Sequence, residues 1–450
     1  PELLAEVKAI GVNAFIDQQL APATLDDSLI ESMLTGFTRL NQSSAALIAE
    51  NRRGQIRNEL NGATVLRAVH SRRQLQEVMV DFWSNHFNVD TNKKKTAMFK
   101  VAEDRRFREL ALGKFSDLLM TSAKSPAMLE YLDNRRSRAN RNRIPNENYA
   151  RELMELHTLG VDGGYDETDV LEVAYVLSGW TVDNTTFEFK FDSRFHRLGP
   201  LLEGGDVLGW VPVAAEGTVE NGESLLNFLA RHPTTAQFIC WKLCRHFVSD
   251  AITADDALVV KAAKVFSRND TAIAPVLRTI LRSKRFRQSK GEKVKRNNEL
   301  LYAILRATTP QFDLSDAPLL GGNLRQSLIK LGHPLFECEP PTGYPDVAGA
   351  FINTNTMVNR WNLGFALAGN TFLRRVQVDN SQWVGSPGKI KALVNQLSTR
   401  LLGRQLSAAE KQSLYDYLGK TERSKVTADD LAQVPALAGL IFASSSYQVR

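Results

Sequence analysis

The sequence has little of what would assign it to several broad protein classes. Its 450 residues include only three cysteines, which are too few for the disulfide framework of a small secreted domain. No run approaches the roughly 20 apolar residues that a membrane-spanning helix requires, which argues against an integral helical membrane protein. The 43% hydrophobic and 24% charged residues are ordinary for a globular protein and exclude collagen, coiled coil and extensive disorder.

Several motifs with well-defined chemistry are also missing. There is no Gly-x-Ser-x-Gly, no P-loop and no Gly-x-Gly-x-x-Gly leading into a helix, which disfavours serine-hydrolase, nucleotide-phosphate and dinucleotide sites. The absence of His-Glu-x-x-His disfavours a zinc protease. The Glu-x-x-His pattern of carboxylate iron or manganese sites in helix bundles is absent too.

The net charge is a modest +6, but cationic residues are concentrated in two runs. One is residues 93–95, three lysines, and the other is 135–143, with five arginines in nine residues. Such runs are either solvated loops or a patch that binds an acidic polymer, sulfated or phosphorylated. Nucleic acid is the weaker alternative, because no aromatic residue that would stack on bases interleaves with the arginines.

The chain start and the cysteines bear on processing and compartment. The sequence begins at Pro1 rather than Met, so we expect a processed chain from which any signal peptide has been removed. Cys240 and Cys244 lie four residues apart in a helical stretch, where a disulfide would distort the helix. We interpret both as small apolar core residues, which leaves the compartment open.

Apolar residues recur at helical spacing along most of the chain. Capping boxes that begin at Ser407 and Thr427 mark two helix starts, and Thr234 is expected to mark a third. Among the predicted helices are 75–87, 146–159, 234–248 and 390–402.

Strand signal is confined to one region. Residues 185–191 alternate apolar and polar side chains, and the glycine-rich segment 204–209 is expected to turn into a second short strand. We therefore predict a mainly α fold, a large multi-helix assembly with a small inserted β-hairpin. The N-terminal region, 1–220, carries the hairpin, the C-terminal region, 221–450, is helical, and we expect one continuous globular unit.

Two of the seven histidines fall on apolar faces of predicted helices. His157 lies within the apolar stripe of 146–159, and His86 continues the stripe of 75–87. A buried imidazole needs partners for both ring nitrogens. These two are therefore either core histidines satisfied by carbonyls or carboxylates, or parts of a site that binds metal or transfers protons.

If the histidines form a site, Glu152 on the same helix is its general acid or base, or a metal ligand. His86 and His157 then bind a divalent metal ion or polarise the substrate, with His196 as a weaker ligand and Asp169 as a further weak member.

The same region supplies candidates for substrate contact. Asn146 is expected to cap its helix, and Arg151 to pair with Glu155 one turn further on. Trp180 and Tyr165 are candidates for the wall of a pocket, although core packing is the simpler interpretation of Trp180. The candidate substrate-binding residues are Arg151, Asn148, Tyr165, Trp180 and Asn353.

Residues 146–160, Asn-Glu-Asn-Tyr-Ala-Arg-Glu-Leu-Met-Glu-Leu-His-Thr-Leu-Gly, resemble the long motif of a bacterial family, the domain of unknown function 1800 family. Further similarity lies at 81–87, 170–180, 232–248, the double proline at 340–341 and 353–354, so the resemblance spans nearly the whole chain. One departure is Gly343-Tyr344-Pro345, where the family usually has Gly-Trp.

The resemblance implies a mostly bacterial and often exported protein, periplasmic or extracellular after removal of an N-terminal signal. It also implies a partner similar to alkaline phosphatases and sulfatases. It implies no particular reaction.

Two hypotheses of function follow. The first is an exported enzyme, a metal-dependent or acid–base hydrolase, that acts on a secreted polymer or its decoration through His86, Glu152 and His157. The second is a non-catalytic binding or assembly protein of the envelope, in which the polar residues organise a helical core. An exposed basic or proline-rich segment would then bind the phosphatase- or sulfatase-like partner.

Overall fold

The computed structural model describes residues 2–140, 143–198, 206–213 and 218–450, and it is mainly helical, as the sequence predicts. The helices of the first half are α1 (Glu2–Ile10), α2 (Val12–Gln19), α3 (Ser28–Met33), α4 (Ser44–Glu50), α5 (Arg53–His70), α6 (Gln74–His86), α7 (Thr96–Leu110), α8 (Phe115–Ala123), α9 (Pro126–Tyr131), α10 (Asn148–Glu152) and α11 (Glu167–Val176).

The helices of the second half are α12 (Val219–Arg231), α13 (Pro233–Phe247), α14 (Ala257–Arg268), α15 (Ile273–Leu281), α16 (Lys284–Gln288), α17 (Asn297–Thr308), α18 (Ala317–Lys330), α19 (Thr354–Ala368), α20 (Ile390–Leu402), α21 (Ala408–Tyr417), α22 (Ala428–Ala432), α23 (Val434–Ala443) and α24 (Ser445–Gln448). Both predicted capping boxes are confirmed. The Ser407 side chain accepts from the N–H of Glu410, and that of Thr427 accepts from the N–H of Asp430.

The helix predicted at 146–159 is present but changes its winding half-way. The predicted cap at Asn146 was wrong by one position: Glu147 holds the N-cap of α10 without a side-chain capping bond, and Asn146 accepts from the N–H of Asn148 at 2.9 Å as a local turn before the helix. α10 continues into a π-helical turn, Leu153–Thr158, with five-residue hydrogen-bond spacing. Such turns are frequent at functional sites, and this one carries His157.

The inserted hairpin is present, but its predicted pairing was wrong. Its strands are β1 (Trp180–Val182) and β2 (Phe189–Phe191), which pair antiparallel with Trp180 opposite Phe191. The partner of the alternating segment therefore lies before it in the chain and not after it. Of the expected second strand region, 204 and 205 lie outside the described residues, and Val207 forms only an isolated bridge with Trp210.

The turn chemistry explains the error. The carboxylate of Asp183 accepts hydrogen bonds from the N–H groups of Thr185 and Thr186 at 2.7 and 3.0 Å, which forms a local turn inside the alternating segment. Residues 183–188 thus connect the strands, and closing so short a loop has a low entropic cost.

A second small sheet was not predicted. Its strands, β3 (Gln311–Phe312) and β4 (Val376–Gln377), pair antiparallel and are too short to leave a periodic signal. Two residues cannot display alternation, and the pairing joins distant parts of the chain.

The buried apolar side chains form two cores. The first is built from α2, α6, α8–α15, the π turn and β1, and it includes residues on both sides of position 220. The second is built from α3–α5, α17–α21 and α23. α7 contributes to both, so the N-terminal and C-terminal regions share buried surface. The division at residue 220 stays a prediction.

α5 and α18 pack closely because glycines face one another at their contact. A Cβ atom added to Gly321 would lie 1.9 Å from the carbonyl oxygen of Asn58, and one added to Gly62 would lie 2.9 Å from the Cα of Gly321. These neighbours are backbone atoms, which cannot move aside by side-chain rotation.

Gly321→Ala is therefore expected to lower the free energy of unfolding by about 2–3 kcal/mol, because overpacking forces the helices apart. Urea denaturation measures the change. Gly54→Ala is the matched control on α5, since an added Cβ there meets nothing within 4 Å. The control is expected to be neutral or to stabilise by up to about 1 kcal/mol. Equal destabilisation by the two variants would contradict the close approach.

All three cysteines are buried free thiols. Burial, with a smaller effect of Asp256, raises the pKa of the Cys244 thiol to about 12, which makes it a poor nucleophile. Within the described ranges, no helix combines the length and the apolar content that crossing a membrane requires.

Candidate functional site

Three distant segments of the chain, together with Arg296 before α17, meet at one pocket, which we call the central pocket. They are the C-terminal end of α6, the last turns of α13 and the loop 342–346. Its volume is about 250 Å³, which leaves room for a small ionic group and several waters. Its polar lining consists of Asn85, His86, Lys242, Arg245, His246, Arg296, Thr342, Tyr344 and Asp346.

His86, the last residue of α6, is buried and bonded through both ring nitrogens. Its Nε2 lies 3.1 Å from the main-chain carbonyl oxygen of His157, and its Nδ1 lies 2.8 Å from Nζ of Lys242. A protonated lysine only donates, so His86 accepts at Nδ1 and donates from Nε2. Burial, followed by the charge of Lys242, keeps the pKa of His86 well below its usual value. His86 therefore serves as a neutral support for Lys242.

Lys242 and Arg245 give the pocket its positive charge. Burial, reinforced by Arg245, lowers the pKa of Lys242 to about 8. In the part of the chain that the structure describes, neither side chain forms an ion pair with a carboxylate. The Arg245 guanidinium lies instead over the ring of Trp241, 4.7 Å from its centroid. The lining carries more cations than carboxylates, because Asp346 is its one acidic residue, and this excess creates a field that favours an anion.

His246 and Asp346 form a second polar pair in the pocket. Nδ1 of His246 lies 2.9 Å from Oδ2 of Asp346. Burial lowers the pKa of His246, and Asp346 offsets this only in part, so the imidazole is neutral at pH 7 and donates from Nδ1. Its Nε2 has no hydrogen-bond partner among the described residues. An imidazole that is oriented by a carboxylate, and whose second nitrogen is buried and has no partner among the described residues, has the arrangement of a general base.

Asp346 stays ionised because cations surround it. Burial would raise the pKa of Asp346, but the hydrogen bond from His246 and the charges of Arg296 and Lys293 outweigh it and hold the pKa well below its usual range. Nζ of Lys293 lies 3.3 Å from Asp346 and 2.6 Å from Asp250, so Lys293 bridges two carboxylates.

Asn85 fixes the loop 342–346 against α6. Its amide nitrogen donates to the carbonyl of Tyr344 at 2.9 Å, and its amide oxygen accepts from the N–H of Tyr344 at 2.8 Å. Gly343 has a φ of +69°, and a Cβ there would lie 2.3 Å from the carbonyl oxygen of Asn85. Only glycine fits this position, so the loop and the helix end form one rigid wall.

The comparisons with known proteins bear on the whole chain. A family model described as "Protein of unknown function (DUF1800)" matches residues 1–449. The chain belongs to this family. The resemblance noted in the sequence is thereby confirmed. No curated protein and no solved structure shows significant similarity to the chain.

The central pocket draws on segments that carry the resemblance to the DUF1800 family. The end of α6 lies in 81–87, the end of α13 lies in 232–248, and the pocket loop follows the double proline at 340–341. The departure at Tyr344 and Pro345 therefore falls in the lining of this pocket.

The structure brings the two predicted histidines together. The ring centroids of His86 and His157 lie 6.0 Å apart. The His157 side chain does not line the central pocket, and neither of its ring nitrogens has a hydrogen-bond partner within the described ranges. Burial, with the charge of Lys242, lowers the pKa of His157 to about 3. The contact that His157 makes with the site is through its main-chain carbonyl.

This environment predicts that His157→Leu flattens the acid dependence of stability. The folded-state pKa of about 3 lies below the ordinary 6.5, so wild-type stability is complete above pH 6.5 and falls as the pH drops toward 3. Leucine removes this proton uptake and two unpaired polar atoms. The variant is expected to match the wild type within about 1 kcal/mol at pH 7 and exceed it by on the order of 3 kcal/mol at pH 4. Urea denaturation at both pH values tests this, and a large loss at pH 7 would contradict it.

Glu152, the third residue of the predicted catalytic set, lies outside the lining of the central pocket. It is half-buried, and its carboxylate forms no hydrogen bond or ion pair with any described residue. Burial, reinforced by Glu155, raises its pKa. Its catalytic role stays a prediction.

The expected pair of Arg151 with Glu155 was wrong. Arg151 binds Glu147 at 3.2 Å and Glu167 at 2.7 Å instead. The physical reason is the π turn that begins at Leu153, since its wider winding moves position 155 away from the place one α-helical turn beyond 151.

The two candidate asparagines have structural partners. The amide of Asn148 donates to the carbonyl of Leu132 at 3.2 Å. Asn353 caps α19, because its side chain accepts from the N–H of Thr356 at 3.0 Å. Contact of either residue with a substrate stays a prediction.

Both aromatic residues that were candidates for a pocket wall pack in or against the first core. Trp180 is fully buried and packs edge-on against Phe189, with ring centroids 5.0 Å apart. Tyr165 is half-buried against the same core. Neither residue lines the central pocket.

The weaker members of the predicted site have local roles. Nδ1 of His196 lies 2.9 Å from the carbonyl oxygen of Ser178, and Asp169 belongs to the capping box of α11 with Asp166. His232 caps α13, which begins one residue before Thr234. No group of three or more His, Cys, Asp or Glu side chains is placed to hold a metal ion, as far as the described residues extend.

Sequence reasoning missed most of the pocket. His246 carries the same signal that identified His86 and His157, because it lies on the buried face of α13 with Leu243. Lys242 and Asp346 carry no such signal, since a lysine on a helix and an aspartate in a loop are usually solvated.

Proposed function

We propose that the protein is an acid–base hydrolase that cleaves an anionic ester, such as a sulfate or phosphate ester on a polymer, in the central pocket. One observation carries the proposal. Lys242 and Arg245, which have no carboxylate partner among the described residues, share the pocket with the His246–Asp346 pair. A fixed positive field beside a neutral, oriented imidazole is suited to proton transfer at a charged ester.

The reaction requires one deprotonated group that acts as the base and one protonated group that acts as the acid. His246 takes a proton from water through Nε2, and the hydroxide attacks the central atom of the ester. Asp346 stabilises the imidazolium through the Nδ1–H bond. The ammonium of Lys242 gives a proton to the departing alcohol oxygen, while Arg245 balances the charge of the anion. His86 acts as a positioning residue, because it touches Lys242 and not the ester.

The proposal predicts a bell-shaped dependence of kcat/KM on pH. The rate falls above about pH 8, because Lys242 must be protonated and its pKa is about 8. The rate also falls on the acid side, below the pKa of His246, which burial holds under the ordinary 6.5. Rates measured from pH 5 to 11 test this. An alkaline limb near pH 10.5, where an ordinary lysine titrates, would contradict the assignment of Lys242.

The substrate class is tested with 4-nitrophenyl sulfate, 4-nitrophenyl phosphate, and sulfated and phosphorylated oligosaccharides. Turnover that Lys242→Gln loses and Lys261→Gln retains supports the proposal. Lys261 is the matched control, because it is an exposed lysine on α14. No turnover of any of these compounds, or equal turnover by the two variants, contradicts it.

The second candidate is the non-catalytic envelope protein. This alternative is favoured because Arg151, Asn148 and Asn353 already have partners within the fold and hold helices in place. Under this alternative the central pocket binds an anion without turning it over.

We also propose, from the resemblance to the family, that the protein acts outside the cytoplasm with a phosphatase- or sulfatase-like partner. Cell fractionation and co-purification from the native host test these two points. Recovery of the native protein only in the cytoplasm, without such a partner, contradicts them.

A further inference from the structure

A second, larger depression lies between the two basic runs and the hairpin, and we call it the basic groove. The groove has a volume of about 730 Å³ and is surrounded by the two lysines just before α7, the segment 135–138 and the hairpin. Its lining includes seven cationic and only three acidic side chains. The chain as a whole carries a net charge of only +6, so this groove concentrates most of the positive excess.

Four of the seven cations in the groove form ion pairs with described acidic residues, and three do not. Glu130 binds Arg135 at 2.5 Å, and Asp192 binds Arg194 at 2.6 Å. Lys94 and Lys190 also have acidic partners. The remaining cations, Lys95, Arg136 and Arg138, are exposed and form no ion pair with any residue that the structure describes.

Aromatic rings hold two of these free cations in place. The guanidinium of Arg138 lies 4.0 Å from the ring centroid of Phe195, and Nζ of Lys95 lies 5.1 Å from that of Phe187. Stacking of this kind orders a cation while its charge remains available to a ligand. It also covers a face of each ring that a nucleobase would need for stacking.

The hairpin supplies uncharged polar groups beside the cations. Thr181, Asn184 and Thr185 line the groove, and Asn184 accepts from Arg135 at 2.8 Å. Hydroxyl and amide groups next to unpaired guanidinium groups are suited to bind a polymer that carries both sugar hydroxyls and anionic substituents. We propose that the basic groove binds an acidic polysaccharide whose sulfate or carboxylate groups contact Lys95, Arg136 and Arg138. This proposal is independent of the chemistry at the central pocket.

Isothermal titration calorimetry with a heparin dodecasaccharide at several salt concentrations tests the proposal. The triple variant Lys95→Gln/Arg136→Gln/Arg138→Gln is expected to raise Kd at least tenfold at low salt. The dependence of log Kd on log salt is expected to become shallower by about two, because fewer counterions are released. The matched control is Lys261→Gln/Lys264→Gln/Arg268→Gln, which removes the same charge from exposed positions on α14.

Equal weakening by the two triple variants would show a general charge effect and overturn the groove as a site. Absence of saturable binding by the wild type would overturn it too. A single-stranded oligodeoxynucleotide of equal charge that binds the groove more tightly than the dodecasaccharide would overturn the polysaccharide assignment. Thermal melts show that each variant is folded, and retained hydrolysis at the central pocket separates this test from the proposed activity.

Discussion

Lys242→Gln is expected to lower kcat roughly 1000-fold for the ester that the protein cleaves, equivalent to about 4 kcal/mol. Glutamine keeps most of the side-chain length and can still donate to Nδ1 of His86. It has no proton to give to the leaving oxygen and no charge to hold the anion. The variant is expected to fold, because the substitution removes a cation that burial disfavours and that has no carboxylate partner among the described residues.

Steady-state kinetics and thermal melting measure both parts of this prediction. Lys261→Gln is expected to retain kcat within about twofold, since surface charges far from a site have small effects. A Lys242→Gln protein that melts like the wild type and keeps kcat within threefold would show that Lys242 is not the acid.

Asp346→Asn is expected to lower kcat roughly 100- to 10,000-fold with little change in KM. Asparagine does not fix the Nδ1–H tautomer of His246, and the other tautomer places the proton on Nε2, where the base must accept one. The anion still meets Lys242 and Arg245, so its binding persists. The effect on kcat therefore separates orientation of the base from binding of the substrate.

Asp250→Asn is the control for this variant. Asp250 shares Lys293 with Asp346 but does not contact His246, so its replacement disturbs the same lysine and leaves the imidazole oriented. We expect a change in kcat of less than about tenfold. Equal losses of kcat in the two aspartate variants would indicate that the Lys293 cluster, and not the tautomer of His246, supports activity.

Local sequence signals predict the helices well and the strand pairings poorly. Each of the capping boxes at Ser407 and Thr427 is defined by four consecutive residues, and both are observed. The partner of Phe189–Phe191 depends on a turn built by Asp183, which apolar alternation does not reveal. The π turn changes spacing only after Leu153, and no periodicity of 3.6 residues indicates it.

The same limit applies to the site. His86 and His157 are found from the sequence because an imidazole on an apolar helix face is a local anomaly. The pocket itself depends on contacts such as Asn85 with Tyr344, which are 259 residues apart in the chain. Glu152 is selected by its position near His157 in sequence, yet the structure places the lysine of α13, and not this carboxylate, against His86.

The central claim is that the central pocket binds an anion through Lys242. Isothermal titration calorimetry with inorganic sulfate and inorganic phosphate at pH 7 tests it without knowledge of the substrate. We expect saturable binding of at least one ion by the wild type and Lys261→Gln, and a loss of at least tenfold in affinity in Lys242→Gln. Absence of saturable binding by the wild type, or equal affinity in all three proteins, would contradict the account.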